Sequence, residues 1–216
     1  MGHDYRRLLW DEVADIGRLL EELDGAEWDA PSLCDGWRVR DVVGHMEFGH
    51  TRGLGAVVLD LVRYRFDLPR GSSELSVAWG TDHSAAELLA IWQRELVGAH
   101  ARRGVSRFVQ WPDALVDHLI HHQDMRRALD RPRTIPPERL MAALDALGSI
   151  HSPLFETRDR VRPLRLVATD VDWSSGSGPL VEGPGEALLL AAGGRSAAYA
   201  DLSGPGLEAL AGVGSA

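Results

Sequence analysis

Asp117, His121 and Asp124 stand at i, i+4 and i+7 in the stretch from Asp113 to Leu129. At about 100° per residue, that spacing puts all three on one side of a helix. Side chains one turn apart reach a common point. A carboxylate and an imidazole meeting there are two ligands of a divalent metal site. A buried charge is costly unless it is paired or bound to a metal. The same pair one turn apart also serves as a plain hydrogen-bonded pair. A third ligand from elsewhere in the chain decides between the two.

The stretch has the marks of a helix. There is no Gly or Pro between Ala114 and Leu129, Pro112 takes a first-turn position, and Asp113 adds negative charge there. Arg126 and Arg127 lie near the C-terminal end, where positive charge is favoured. On the helical wheel Gln123, Arg126 and Arg127 form a polar side that should face water. His121 falls almost opposite them, with His118 beside it.

The elements that must position these residues read largely as helices. Residues 4–24 carry Leu8, Leu9, Val13, Ile16, Leu19, Leu20 and Leu23 at helical spacing, closed by Asp24-Gly25. The segment Trp28 to Trp37 has loop composition, and its two Trp residues read as packing anchors. A second helix is predicted from about Trp37 to Arg65, with Val39, Val42, Val43 and Met46 buried. His45 lies at the edge of that stripe and His50 nearer its centre, so periodicity does not choose between them as a ligand. Residues 66–83 read as a long loop rich in Gly, Ser, Asp and Pro, bordering a site or mobile. A third helix runs from about Ala85 to Arg103 behind a Ser84/Glu87 capping box, with Leu88, Leu89, Trp92 and Leu96 inward. A fifth, after the central one, spans about Glu138 to Ser152. Beyond Asp159 the texture changes. Strands are predicted at 164–169 and 179–182, a turn at Gly176–Gly178, and short helices at 185–192 and 206–211. Helices in series favour a bundle, whose core can hold a metal between facing helices.

Composition narrows the function. A net charge of −9 over 216 residues argues against a phosphate-neutralising nucleic-acid binder. Apolar content of 44% supports a normal core. Every basic residue is Arg, the mark of a high-GC genome, which excludes a Schiff-base or P-loop lysine. Cys34 is the only cysteine, which excludes an internal disulfide and a cysteine-rich zinc site. No secretory segment opens the chain and no apolar run spans a bilayer, so a cytoplasmic protein without membrane partners is expected. The Gly-rich runs lack the order of a dinucleotide fingerprint. No sequence feature assigns an oligomeric state.

Three segments in order resemble the mycothiol-dependent maleylpyruvate isomerase family of DinB-like metalloproteins. They are Pro31 to His45, Asp117 to Asp124, and a tail with Ala168-Thr-Asp170, Trp173, Gly178-Pro179, Val181 to Ala187 and Gly194-Arg195. The resemblance implies an α+β fold: a DinB-like four-helix bundle over 1–156 and a small C-terminal α/β domain over 157–216. It implies a zinc-type metal on His45, Asp117 and His121, which selects His45 over His50. Asp117 stands where the family usually has Glu, a shorter arm that could let His118 compete. Asp124 would hydrogen-bond a ligand histidine. Arg195 would help hold a substrate or thiol carboxylate. Three protein ligands leave a position open. A thiol placed there becomes a nucleophile at neutral pH, and mycothiol would supply it as cosubstrate. Adding sulfur to an activated double bond, rotation and elimination give cis–trans isomerisation of a small electrophile; other electrophiles give S-transfer. The alternative is a bundle that binds metal or ligand without turnover.

Overall fold

The computed structural model describes residues 2–98, 102–149 and 157–212. Helix α1 (Tyr5–Glu22) opens on Asp4, whose carboxylate accepts the Arg7 N–H, and buries the predicted apolar stripe. Asp24 does not simply stop it. Asp24 and Glu27 form a reciprocal capping box that starts the short α2 (Gly25–Trp28). The predicted second helix divides into α3 (Val39–Thr51) and α4 (Leu54–Arg63). Arg52 turns to extended backbone between them, and its guanidinium grips Asp60 of α4 at 2.6 and 2.8 Å.

Residues 66–83 depart most from expectation. They contain α5 (Leu68–Asp82), started by the Asp67 side chain on the Arg70 N–H with Pro69 in the first turn. Its composition is poor for a helix, since each Gly costs about 1 kcal/mol relative to Ala. The compensation is close approach to α3. A Cβ on Gly44 would lie 3.0 Å from the Ser76 carbonyl oxygen, and one on Gly80 would lie 2.5 Å from Asp41 Oδ1. Small residues in both helices let the backbones meet, and packing outweighs propensity.

Helix α6 (Ala85–Ile91) starts at the predicted Ser84/Glu87 box and passes into a π-helical turn, Trp92–Val97. Residues 99–101 of the predicted third helix lie outside the described residues. A 3₁₀ turn (Gly104–Phe108) leads to the central helix α7 (Trp111–Ala128). Then come α8 (Pro137–Ala146) and a 3₁₀ turn, Leu147–Ser149. Residues 150–152, the predicted end of that helix, lie outside the description. After α9 (Thr157–Val161) the strands β1 (Arg165–Ala168), β2 (Ser174–Gly176) and β3 (Leu180–Gly183) form one sheet in the order β2-β1-β3. β1 runs antiparallel to β2 and parallel to β3. β2, an unpredicted strand, ends at Gly176, where the predicted turn begins. Helix α10 (Gly185–Ala192), a 3₁₀ turn (Ser196–Asp201) and α11 (Leu207–Gly212) finish the chain. The described chain is thus mostly helical with a small mixed sheet, in the α+β class.

Two apolar clusters hold these elements. One gathers α1, α3, α6 and the π turn around fully buried Trp92, whose indole N–H donates to the Val13 carbonyl at 3.1 Å. The other runs from α7 and α8 into β1, β3 and α10, so the C-terminal elements pack on the side of α7 expected to meet water. Gln123 there is buried and donates to Glu186. Arg127 reaches Glu186 at 2.6 and 2.9 Å and Asp201 at 2.7 Å. These polar residues form a seam with α10 rather than a solvated face. Among the described residues no helix is long and apolar enough to cross a membrane.

Candidate metal centre

Helices α3 and α7 bring His45, Asp117 and His121 together, with one donor atom from each within 4.8 Å of the others. Asp117 Oδ1 lies 3.5 Å from His121 Nε2 and 3.9 Å from His45 Nε2. Tetrahedral zinc with bonds of about 2.0–2.1 Å separates neighbouring donors by about 3.3 Å. The gaps are therefore slightly open versions of a ligand set.

The hydrogen bonds on the far side of each ring decide which nitrogen is available. Ser76 Oγ donates to the Ser72 carbonyl at 2.7 Å, so it can only accept from His45 Nδ1 at 3.2 Å. An Nδ1–H donated to Ser76 leaves Nε2 of His45 free to present a lone pair to the centre; Ser72 Oγ lies 3.4 Å from the same Nδ1. His121 Nδ1 lies 3.0 Å from Asp124 Oδ2. Burial would raise the Asp124 pKa, but its bonds to His121 and Arg195 outweigh that and lower it to about 2. An ionised carboxylate accepts only, so Nδ1 donates, and once the ring is neutral, as a metal ligand must be, Nε2 of His121 presents its lone pair to the centre. Orienting partners of this kind fix the tautomer of ligand histidines. The residues present fit a divalent cation.

Charge follows the same geometry. Burial opposes ionisation of Asp117, yet the facing His121 and His45 hold its pKa well below the usual carboxylate range. Burial alone would lower the His121 pKa; Asp117, Cys34 and Asp124 push it up to about 10. His118 does not join the centre. Its Nδ1 donates to the Ala114 carbonyl at 2.9 Å.

Asp124 is the node behind the centre. It accepts from His121, from the Cys34 thiol at 3.0 Å, and from Arg195 Nη2 at 2.6 Å and Nε at 3.0 Å. Arg195 Nη2 also reaches Cys34 Sγ at 3.2 Å, and Nη1 donates to the Gly193 carbonyl at 2.7 Å. Gly194, at φ +86°, makes the turn that swings Arg195 inward from α10. Arg195 thus lies beside the centre, with its fork on Asp124.

The centre opens into a cavity of about 550 Å³. Trp37 walls it, nearly parallel to the His121 ring at 6.0 Å, with its indole N–H on Ser73 at 3.0 Å. So Trp28 is a buried anchor, whereas Trp37 faces the site. Ser72, Ser73 and Pro69 line the cavity from α5, so the stretch read as a loop does border the site, as a helix. Sequence reading missed Ser72 and Ser76 as partners of His45; their i, i+4 spacing was the available signal. The approach of Cys34 to Asp124 had none.

Fold and site together define a helical protein with a small α/β portion and a two-helix His/Asp/His constellation at the head of a cavity. The model of the mycothiol maleylpyruvate isomerase N-terminal domain matches residues 9–126, and the chain belongs to that family. Two crystal structures of mycothiol-dependent maleylpyruvate isomerase, one of them a histidine-to-alanine mutant, share the fold. They are 15% and 14% identical, with TM-scores of 0.55 and 0.56, each covering 94% of this chain and 92% of the other. No curated protein matches.

Proposed function

We propose that the protein is a cytoplasmic, metal-dependent, mycothiol-dependent isomerase or S-transferase acting on a small electrophile. The observation that carries the reading is the pair of Nε2 atoms converging on Asp117 at the head of a cavity, in a chain of this family. His45, Asp117 and His121 would hold the metal on a DinB-like four-helix arrangement within residues 1–156, while residues 157–216 form a second domain that supplies Arg195. A zinc-type cation bound there would supply Lewis acidity, bringing an external thiol's pKa into the neutral range.

The chain's own residues set the geometry. Ser76 and Asp124 hold the two imidazoles so that each turns its Nε2 toward the centre. Arg195 braces Asp124 from the C-terminal side and presents positive charge to the cavity. Trp37 shields the His121 face from water. On the substrate, the thiolate adds to the β-carbon of an alkene conjugated with a carbonyl, the new single bond rotates, and expulsion of the same thiolate restores the alkene in its other geometry. No thiol is consumed. With a substrate carrying a leaving group, sulfur stays on the product and thiol is used up.

The zinc-loaded protein is expected to turn over maleylpyruvate or a related cis-enone only when mycothiol is present, followed by the change in ultraviolet absorbance. Metal binding without turnover across a panel of electrophiles would support the alternative of a non-catalytic binding bundle. The specific feature favouring that alternative is Asp117, whose shorter arm leaves the 3.9 Å gap to His45.

A further inference from the structure

The cavity contains a cation that the proposed chemistry leaves unused. Arg102 lines it, with its guanidinium carbon 3.6 Å from the Trp111 ring centroid and Nη1 donating to the Val109 carbonyl. Stacking occupies the face of a guanidinium and leaves its N–H edge free. Among the described residues Arg102 makes no ion pair, whereas Arg195 is engaged by Asp124, Gly193 and Cys34. Burial of Arg102 lowers its pKa below the ordinary arginine value. A partly desolvated cation without a counter-ion is unfavourable until an anion meets it.

Two buried imidazoles share that cavity. His50 Nδ1 and His118 Nε2 have no hydrogen-bond partner among the described residues, although both side chains are more than nine-tenths buried. Their rings meet edge to face at 6.4 Å. His118 spends its proton on Ala114, so its Nε2 is an acceptor. A neutral His50 has an N–H to offer. The wall they share with Arg102 is apolar, including Met46, Phe48, Val105 and Val109. Buried polar nitrogens left unpaired beside a cavity mark positions for a ligand's polar groups.

We propose that Arg102, assisted by His50, is an anion subsite on the helical side of the cavity, separate from Arg195. It takes the carboxylate of a ligand whose apolar body lies against Met46, Phe48 and Val105. The guanidinium fork matches a carboxylate bidentately, and the apolar wall favours a monocarboxylate with an alkyl or aryl chain. The inference rests on the reading above only in taking this cavity as the substrate's.

The test is calorimetric titration of the full-length protein with 4-phenylbutyrate and with 4-phenylbutyramide, which share a body and differ in charge. No thiol is present, so the outcome is independent of whether the protein turns over any substrate. The titration is run on protein as purified and after chelator treatment, because a carboxylate could also bind a metal. The carboxylate is expected to bind at least 10-fold more tightly than the amide in both preparations. Arg102→Gln abolishes that preference and Arg102→Lys keeps part of it, with melting curves confirming that each variant is folded. Failure of Arg102→Gln to fold leaves the decision to wild type and Arg102→Lys. Equal affinities, no binding of either compound, or a preference that persists in Arg102→Gln but disappears with chelator would overturn the proposal.

Discussion

His121 and His122 are neighbours on one helix and face opposite sides of it. His122 is sealed: its Nδ1 meets Glu12 at 2.7 Å, Arg126 Nε donates to its Nε2 at 2.8 Å, and its side chain has no exposure. Arg133 and Arg139 close on the same Glu12. Burial first, helped by Arg133 and Arg126 and only partly offset by Glu12, lowers the His122 pKa to about 4. His121 has one nitrogen fixed by Asp124 and the other directed at Asp117 beside an open cavity, and its pKa moves up to about 10. Identical side chains one residue apart thus do different work. The ring with both nitrogens satisfied fastens α7 to α1. The ring with one nitrogen left facing a carboxylate is fit to exchange that nitrogen's proton for a metal cation.

The comparison is broken most severely at Glu12. Glu12→Ala leaves Arg133 and Arg139 with Asp15 alone and His122 without its acidic partner, and a stability loss of about 3 kcal/mol is expected in urea denaturation, with zinc affinity of the folded fraction unchanged. A fall in zinc affinity as large as that of a ligand mutant would merge the two sides of α7 into one device.

The next largest effects sharpen the open side. Ser76→Ala and Asp124→Asn each release a ring that must hold its Nε2 toward the centre, and zinc affinity should fall about 10–100-fold. Ser76→Thr should restore most of it by keeping the hydroxyl. Competition titration with a chromophoric chelator reads these changes. An unaltered affinity in Ser76→Ala would mean that His45 is oriented by other contacts.

A smaller, graded effect belongs to Glu47, on α3 two residues from His45. It is fully buried with the Trp79 indole donating to it at 3.0 Å. Burial raises its pKa to about 8 despite that bond. The folded protein then holds a proton that the unfolded chain releases above the ordinary glutamate value of 4.5. Stability from this group therefore falls as pH rises between those two values, by at most about 1.4 kcal/mol per pH unit. Glu47→Gln should flatten that decline in melting temperature measured from pH 5 to pH 8.

Much of this was legible in the chain. The i, i+4, i+7 set on α7, its start at Pro112, and the apolar stripes of α1 and α8 follow from periodicity, which local sequence carries directly. The α5 helix was not legible, because Gly71, Ser72, Ser73 and Gly80 argue for a loop until α3 is placed against them. The polar side of α7 misled for a related reason. A helical wheel separates faces but does not reveal that Glu186 and Asp201, some 60–75 residues later, return to cover one. The choice of His45 over His50 came from resemblance; in the structure His45 shares the centre with Asp117 while His50 sits deeper, against Trp10. Cys34 and Arg102 acquire their surroundings wholly from tertiary contacts, which spacing does not encode.

The central claim is that α3 and α7 share one cation. Zinc titration of the metal-stripped protein by calorimetry, for wild type and for His45→Ala, addresses it most directly. One zinc per chain is expected in wild type and at least about 100-fold weaker binding in His45→Ala, with melting temperature in the absence of metal nearly unchanged. Tight one-to-one binding retained in His45→Ala would contradict it.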